Sequence, residues 1–393
     1  MKASPTRGLT YVLALVLLMI GLSACDRLGQ ILIPPEPGAE GIPVGVVLPL
    51  SGDYAAVFGE PMLNGFKLAA EELNSSRAAE EQFRIIPKDD GATVEGAVTA
   101  FNELIEQYNV PVILGPGFSS QFKETSLVAN EHGVVGFSST SSASGINKAG
   151  DFNFRAGLIT SRLNPPGVMI THEVLKYERV ATIFDGADTY STIGHGDLTE
   201  ALTANDVNIV ATEEINSMRG ETDFAGVLGR LMESDPQAIF ASVLAREMIP
   251  IVIQSRELGI TPSVHLIIPE LSNIEVDALV EAGMGEAAEG VISFTGWGSH
   301  TPTLGNEEFG RNYRATYDAN PNPWAAQSYA TLYVLNEAIA MAGATDAVSI
   351  RNALEGISDF DTIMGTFSFD ENGDAIYAPK ILIVRNGQLE VFE

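Results

Sequence analysis

The sequence has one cysteine, Cys25, among 393 residues. No internal disulfide and no thiolate metal cluster can be built from it. Basic side chains are scarce as well: 22 Lys and Arg stand against 51 Asp and Glu, a net charge of −29. Such a balance repels phosphate backbones and anionic lipid surfaces, so nucleic acid is not an expected partner. The five histidines, His132, His172, His195, His265 and His300, are scattered, without H-E-x-x-H or a short His/Cys spacing, and no metal site is expected. There is no G-x-S-x-G elbow and no phosphate-loop lysine motif. DENGDA, Asp370 to Ala375, imitates the start of a calcium loop, but Ala375 stands where that loop needs glycine and Ile381 where it needs glutamate. It reads as an Asn-Gly turn. Lacking a nucleophile, a metal set or a cofactor motif, the chain is expected to be neither an enzyme nor a cofactor carrier.

Long apolar runs are also few. The chief one, YVLALVLLMI from Tyr11 to Ile20, follows Lys2 and Arg7 and leads into GLSAC. A charged start, a short apolar centre and a small-residue exit describe an export signal, expected over residues 1–24. LSAC resembles a bacterial lipobox. That likeness implies lipidation of Cys25 as the first mature residue and a membrane contact through the lipid anchor alone. Asp26 resembles the inner-membrane retention signal of some lipoproteins. Residues 25–41, rich in Pro and Gly, read as a tether.

From Ile42 the pattern changes. PVGVVLPL is an uninterrupted apolar run, as a strand buried on both faces requires. Met62, Phe66, Ala69 and Leu73 then recur at helical spacing, with Pro61 suited to a first turn. The unit repeats through FRIIPKDD, PVILGP and VVGFSS. A second series opens at RVATIFDG and continues through VNIVATEEI, AIFASV and HLIIPE. Alternation at this spacing predicts parallel sheets with helices on both faces, and two such sheets with a changeover near DFNFRAG, Asp151 to Gly157. The last third predicts one more strand at GVISFTGW, three helices, and a hairpin turning at Asn386-Gly387.

In open parallel sheets, ligands sit beyond the carboxyl ends of strands. Those ends are LSG at Leu50, GPGFSS at Gly115, FSSTSS at Phe137, FDG at Phe184 and IPE at Ile268. Two are loaded with hydroxyls, and one presents a lone acid, Glu270. Ser119 and Ser120 are placed to cap a helix, whose N-terminus has free N–H groups and a positive partial charge. Gly115 and Gly117 admit a small anion there, and a carboxylate fits. Glu270 offers the countercharge for an ammonium. Opposite poles facing each other suit a free α-amino acid; the plainer alternative is simple capping by the serines and a solvated Glu270.

These residues carry a family resemblance. VGVVLPLSGDYAAVFGEPMLNGFKLAAEELN, the pair Asp89-Asp90, ILGPGFSS, FSSTSS, ETDF and MGTFSFDENGD, in this order, resemble the periplasmic leucine/isoleucine/valine-binding proteins of ABC importers. The likeness covers nearly everything from Ile42 to Glu393. It implies an α/β, two-lobed type I periplasmic-binding-protein fold, each lobe a helix-covered parallel sheet, joined by a three-strand hinge. Lobe 1 is expected to take residues 42–158 and 293–377, and lobe 2 residues 159–292 and 378–393. Carried over by position, the resemblance implies Ser119 for the ligand carboxylate and Thr140 and Ser142 for carboxylate and ammonium. It likewise implies Tyr190 closing from the second lobe, Glu270 for the ammonium, and Phe58, Phe118, Leu244 and Leu271 around the side chain. Ala92 and Phe118 stand where some relatives have cysteines, and Leu271 is bulkier than the small residue expected there. The implied function is extracytoplasmic capture of an apolar or branched-chain amino acid by a monomer, for delivery to an ABC permease. Alternatives on the same fold are a binder of an amide, urea or aromatic acid, and a regulatory lipoprotein acting on a cell-wall synthase or sensor.

Overall fold

The computed structural model describes residues 39–148, 150–216 and 222–392. The expected export signal, Cys25 and most of the expected tether lie outside the described residues. The chain begins with β1 (Ile42–Leu48), α1 (Glu60–Asn74), β2 (Phe83–Asp89), α2 (Val94–Tyr108), β3 (Val112–Leu114), α3 (Ser119–His132), β4 (Val135–Ser138) and β5 (Asn153–Arg155). It continues through α4 (Thr160–Leu175), β6 (Arg179–Asp185), α5 (Thr189–Ala204), β7 (Asn208–Ile215), α6 (Ala225–Met232), β8 (Ala238–Ser242), α7 (Ala245–Glu257), β9 (His265–Ile267), α8 (Asn273–Glu281) and β10 (Ile292–Thr295). The rest is α9 (Asn306–Tyr317), α10 (Pro323–Ala342), α11 (Ala347–Glu355), β11 (Phe360–Thr362), β12 (Gly365–Phe369), β13 (Ala375–Ile376), β14 (Lys380–Arg385) and β15 (Gln388–Val391).

The first sheet has the order β2-β1-β3-β4-β5 and is parallel throughout. Strand β1 is apolar on both faces because both are covered. Val44, Val46 and Leu48 pack with Met62, Phe66 and Ala69 of α1 and with Ala326 and Ala330 of α10. Val47, on the opposite side of the pleat, packs with Ala97, Phe101 and Leu104 of α2. The second sheet has the order β15-β14-β10-β9-β8-β6-β7, with β7 to β10 parallel and β14 and β15 antiparallel. The hairpin turns where the sequence predicts, with Asn386 and Gly387 both at positive φ (52° and 72°).

The chain passes between the sheets three times: after β5, after β10 and just before β14. A small antiparallel sheet of β11, β12 and β13 has no counterpart in the sequence reading. It brings the DENGD turn back to β5, where Asp374 bridges Arg155.

Candidate functional site

Between the strand ends of the two sheets lies a small cavity. About 60 Å³ of it is open to the centre of a water molecule. Its walls include Tyr54, Phe58, Gly117, Phe118, Ser119, Thr140, Ser142 and Trp324 from the first-sheet side. Tyr190, Val243, Leu244, Ala245, Met248 and Glu270 come from the second. A larger groove of about 720 Å³ runs past Trp297, His300 and Arg314, but no buried charge turns into it. The small cavity is where an uncompensated acid and several hydroxyls converge, which is the pattern of a ligand site.

The first wall is built from backbone first. Gly115 sits at φ +111°, and a Cβ there would come within 2.2 Å of the Val47 carbonyl. A Cβ on Gly117 would lie 2.5 Å from the Phe58 ring. Glycine at both positions lets the strand end and the aromatic wall meet. Helix α3 starts one residue earlier than a Ser119 cap needs: Phe118 is the extended N-cap residue (φ −87°, ψ 143°), and its N–H donates to the Gln121 carboxamide at 3.4 Å. The expectation that Ser119 caps this helix is thereby corrected, because from the first helical position its hydroxyl turns sideways. There Ser119 Oγ accepts from the Ala143 N–H at 3.1 Å and from the Ser141 hydroxyl at 3.4 Å. Thr140 donates to the Gly117 carbonyl at 3.0 Å and Ser138 to the Pro116 carbonyl at 2.6 Å.

This hydroxyl-rich loop is held from below by a buried ion pair. Arg155, fully buried, bonds Asp374 at 2.7 Å through Nε and the Ala143 carbonyl at 2.6 Å through Nη1. Asp374 is in turn presented by a turn in which Asp370 accepts from the N–H groups of Asn372 and Asp374. The stretch that imitates a calcium loop therefore works as a structural clasp for the site. An aromatic panel completes the wall: Tyr54 stands edge-on to Phe118 (5.0 Å), Phe58 tilts on Phe118 (4.9 Å), and Trp324 stands edge-on to Phe58 (5.0 Å).

The second wall is charged and unfinished. Glu270 follows β9 with φ +65°, a left-handed conformation uncommon outside glycine. Its N–H donates to the Phe294 carbonyl at 2.8 Å, which fixes its backbone to β10. Among the described residues no hydrogen bond or ion pair engages its carboxylate, and burial raises its pKa to about 8. Tyr190 is buried beside it in the first turn of α5, which Asp188 caps by accepting from Ser191 N–H at 2.8 Å. Burial, then the Glu270 and Asp188 charges, hold the Tyr190 phenol well above its usual pKa. Tyr190 is thus a neutral hydroxyl next to a lone acid.

Contacts across the gap tie the walls together. Ser144 donates to Asp197 of α5 at 2.7 Å, and Thr160 donates to the same carboxylate oxygen. Arg246 of α7 reaches Asp53, in the loop after β1, at 3.7 Å.

Ser119, Thr140, Ser142, Tyr190, Glu270, Phe58, Phe118 and Leu244 all line the one cavity. Leu271 does not. The left-handed turn at Glu270 sends the next side chain to the other side of the strand, where Leu271 is fully buried in the second-sheet core and reaches only the floor of the larger groove. Tyr54, Trp324, Val243, Ala245 and Met248 were not expected in the lining. Trp324 carries a signal that could have found it, since tryptophan occurs only twice in the chain and this one opens a helix beside Asn322 and Pro323.

Comparison with known proteins gives a consistent picture. The family model for periplasmic binding proteins matches residues 41–387. An amino acid binding protein of Pseudomonas aeruginosa is 26% identical over 339 residues, covering 84% of this chain and 86% of its own. Among solved structures, a branched-chain amino acid transporter substrate binding protein of Streptococcus pneumoniae, in complex with isoleucine, superposes with a TM-score of 0.81 at 24% identity, over 90% of this chain and 98% of its own. A solute binding protein of an ABC transporter from Rhodopseudomonas palustris, in complex with 3,4-dihydroxy benzoic acid, superposes with a TM-score of 0.79 at 23% identity, over 89% and 95% of the two chains.

Proposed function

The chain belongs to the periplasmic binding protein family, and from that premise we propose that it captures a free apolar amino acid and delivers it to an ABC permease. The supporting observation is the Glu270 carboxylate, which lines the cavity opposite the hydroxyls of Ser119, Thr140 and Ser142 and has no cation partner among the described residues. A half-buried acid of this kind is costly to ionise until a cation meets it. A ligand ammonium meets it, and the ligand carboxylate turns to the hydroxyls and the start of α3. Phe58, Phe118, Trp324 and Leu244 leave an apolar space for the side chain. Residues 42–158 with 293–377, and 159–292 with 378–393, then act as two lobes that close on the ligand by bending at the three crossings. Export and a lipid on Cys25 would keep the protein, as a monomer, on the outer face of the membrane next to its permease.

A second reading, an aromatic acid, is favoured by the panel of Tyr54, Phe58, Phe118 and Trp324. The two readings part at Glu270: an aromatic acid brings no cation and leaves that charge unmatched. A thermal-shift screen of the standard amino acids beside benzoate and 3,4-dihydroxybenzoate decides between them. Stabilisation by amino acids only is expected, because a ligand that binds the folded state raises its melting temperature. Stabilisation by the aromatic acids alone would overturn the reading.

A further inference from the structure

Tyr190, Gly194 and Asp197 recur at i, i+4 and i+7 along α5, so they share one stripe of the helix. Tyr190 ends that stripe in the cavity lining. Gly194 brings the helix in close: a Cβ there would come within 2.9 Å of Ser242 Oγ and 3.3 Å of Thr160 Cγ2. Its carbonyl accepts from Asn164 Nδ2 at 3.1 Å, and Ser242 Oγ donates to the Ser191 carbonyl at 2.9 Å. Helix α5 is thus pinned to the start of α4 and to the end of β8.

Asp197, the next member of the stripe, reaches the first-sheet side. Its carboxylate accepts from the Ser144 hydroxyl at 2.7 Å and from the Thr160 hydroxyl. Ser144 belongs to the loop after β4 that presents Thr140 and Ser142 to the cavity. The Ser144 hydroxyl also accepts from the Ser161 N–H at 2.9 Å and lies 3.1 Å from the Thr160 hydroxyl. The Thr160 N–H in turn donates to the Ser142 carbonyl at 2.8 Å. These bonds close a ring through Ser142, Ser144, Thr160 and Asp197. The loop's bonds to Gly117, Ser119 and Arg155 stay on the first-sheet side. The ring joins it to the helix that carries Tyr190.

We propose that Asp197 is a positioning residue for ligand capture: its carboxylate fastens the Thr140–Ser142 loop to α5 and so holds the hydroxyls of one wall in register with Tyr190 on the other. This rests on the reading of the cavity as the ligand site. Asp197 lies outside the cavity lining and acts through the two ends of the ring. A hydroxyl that donates to a carboxylate makes a stronger bond than a neutral pair, and Asp197 receives two. A ligand gripped from both walls needs their spacing fixed to within a fraction of an ångström, which supporting hydrogen bonds of this kind provide.

The test is a double-mutant cycle on the whole mature chain, read by calorimetry with L-leucine as probe, and ligand-free melting of each variant checks the fold. Asp197→Ala is expected to weaken leucine about tenfold or more, the scale of a hydrogen bond to a charge. Ser144→Ala removes one of the two donors from a half-buried position, and a loss of about threefold to tenfold is expected. In the Asp197→Ala background the Ser144 change is expected to add less than about twofold, because its acceptor is gone. Variants that melt earlier yet bind leucine as tightly as wild type would mean a merely structural ring and would overturn the proposal. Losses that simply multiply in the double variant would overturn it as well. Should Asp197→Ala not fold, Ser144→Ala alone decides, and an unchanged affinity there overturns the proposal. The ligand reading fails separately: a wild type that binds 3,4-dihydroxybenzoate and not leucine removes the amino acid, and the same cycle with that acid as probe then decides on Asp197.

Discussion

The two walls of the cavity are made differently. On the first-sheet side the Ser119 and Thr140 hydroxyls already have partners in Ala143 and Gly117, Ser138 beneath them bonds Pro116, and the whole loop is seated on Arg155 and Asp374. On the second-sheet side Glu270 has backbone anchorage but, among the described residues, no partner for its carboxylate, and the phenol of Tyr190 stands beside it. One wall is rigid before anything binds; the other holds a deficit that only a cation removes. A satisfied polar network specifies geometry, whereas an unsatisfied charge supplies selectivity. The division suits a protein that must recognise one chemical group firmly and respond to its arrival.

The comparison can be broken most severely from the rigid side. Asp374→Ala strands the Arg155 guanidinium in the core, and a loss of about 3–5 kcal/mol in unfolding free energy by urea titration is expected. A loss below about 1 kcal/mol would show that the clasp is not what holds the loop. On the charged side, Glu270→Gln should weaken amino-acid binding by about 1.5–3 kcal/mol in calorimetry. An unchanged affinity would remove Glu270 from the ligand.

The same variant sharpens the contrast through pH. The folded pKa of Glu270 is raised by burial to about 8, above its ordinary carboxylate value. Its contribution to ligand-free stability is therefore present at low pH and lost as pH rises toward and past about 8. Asp90 and Glu275, raised by burial to about 6 and about 7, give the same sign over a lower window. The part of the decline near pH 8 should vanish in Glu270→Gln, as read from melting temperature against pH. A decline that persists unchanged there would assign it to another group.

Smaller effects are expected from single contacts. Ser119→Ala removes one neutral hydroxyl from the ligand and one acceptor from the Ala143 N–H, and should weaken binding by about 0.5–1.5 kcal/mol in calorimetry. Asp53→Asn breaks an exposed ion pair with Arg246 across the cleft mouth; about 0–1 kcal/mol in affinity is expected, shrinking further in high salt. A larger, salt-insensitive effect would mean that this pair is part of the binding wall.

Much of this architecture was legible in the sequence because it is written locally. Apolar runs such as PVGVVLPL and AIFASV are strands for reasons contained within themselves, and the ends of those runs point to the cleft. Residues next to strand ends, such as Ser119 and Glu270, could be found that way, and the structure brings them to one cavity. What escaped depends on direction or distance. The side chain of Leu271 turns away because of a backbone angle at Glu270 that no residue pattern announces. Trp324 reaches the cavity from a helix more than 200 positions beyond Phe58. Arg155 and Asp374 pair across 219 positions, so neither end reads as part of a site alone.

The account turns on a ligand ammonium meeting Glu270. The most direct measurement is calorimetry, near pH 8, of leucine beside 4-methylpentanoate, which keeps the carboxylate and the branched chain but lacks the amine. The account predicts that leucine binds and that its amine-free analogue is at least about tenfold weaker, the scale of one charge-assisted bond. Equal affinity for the two would contradict it.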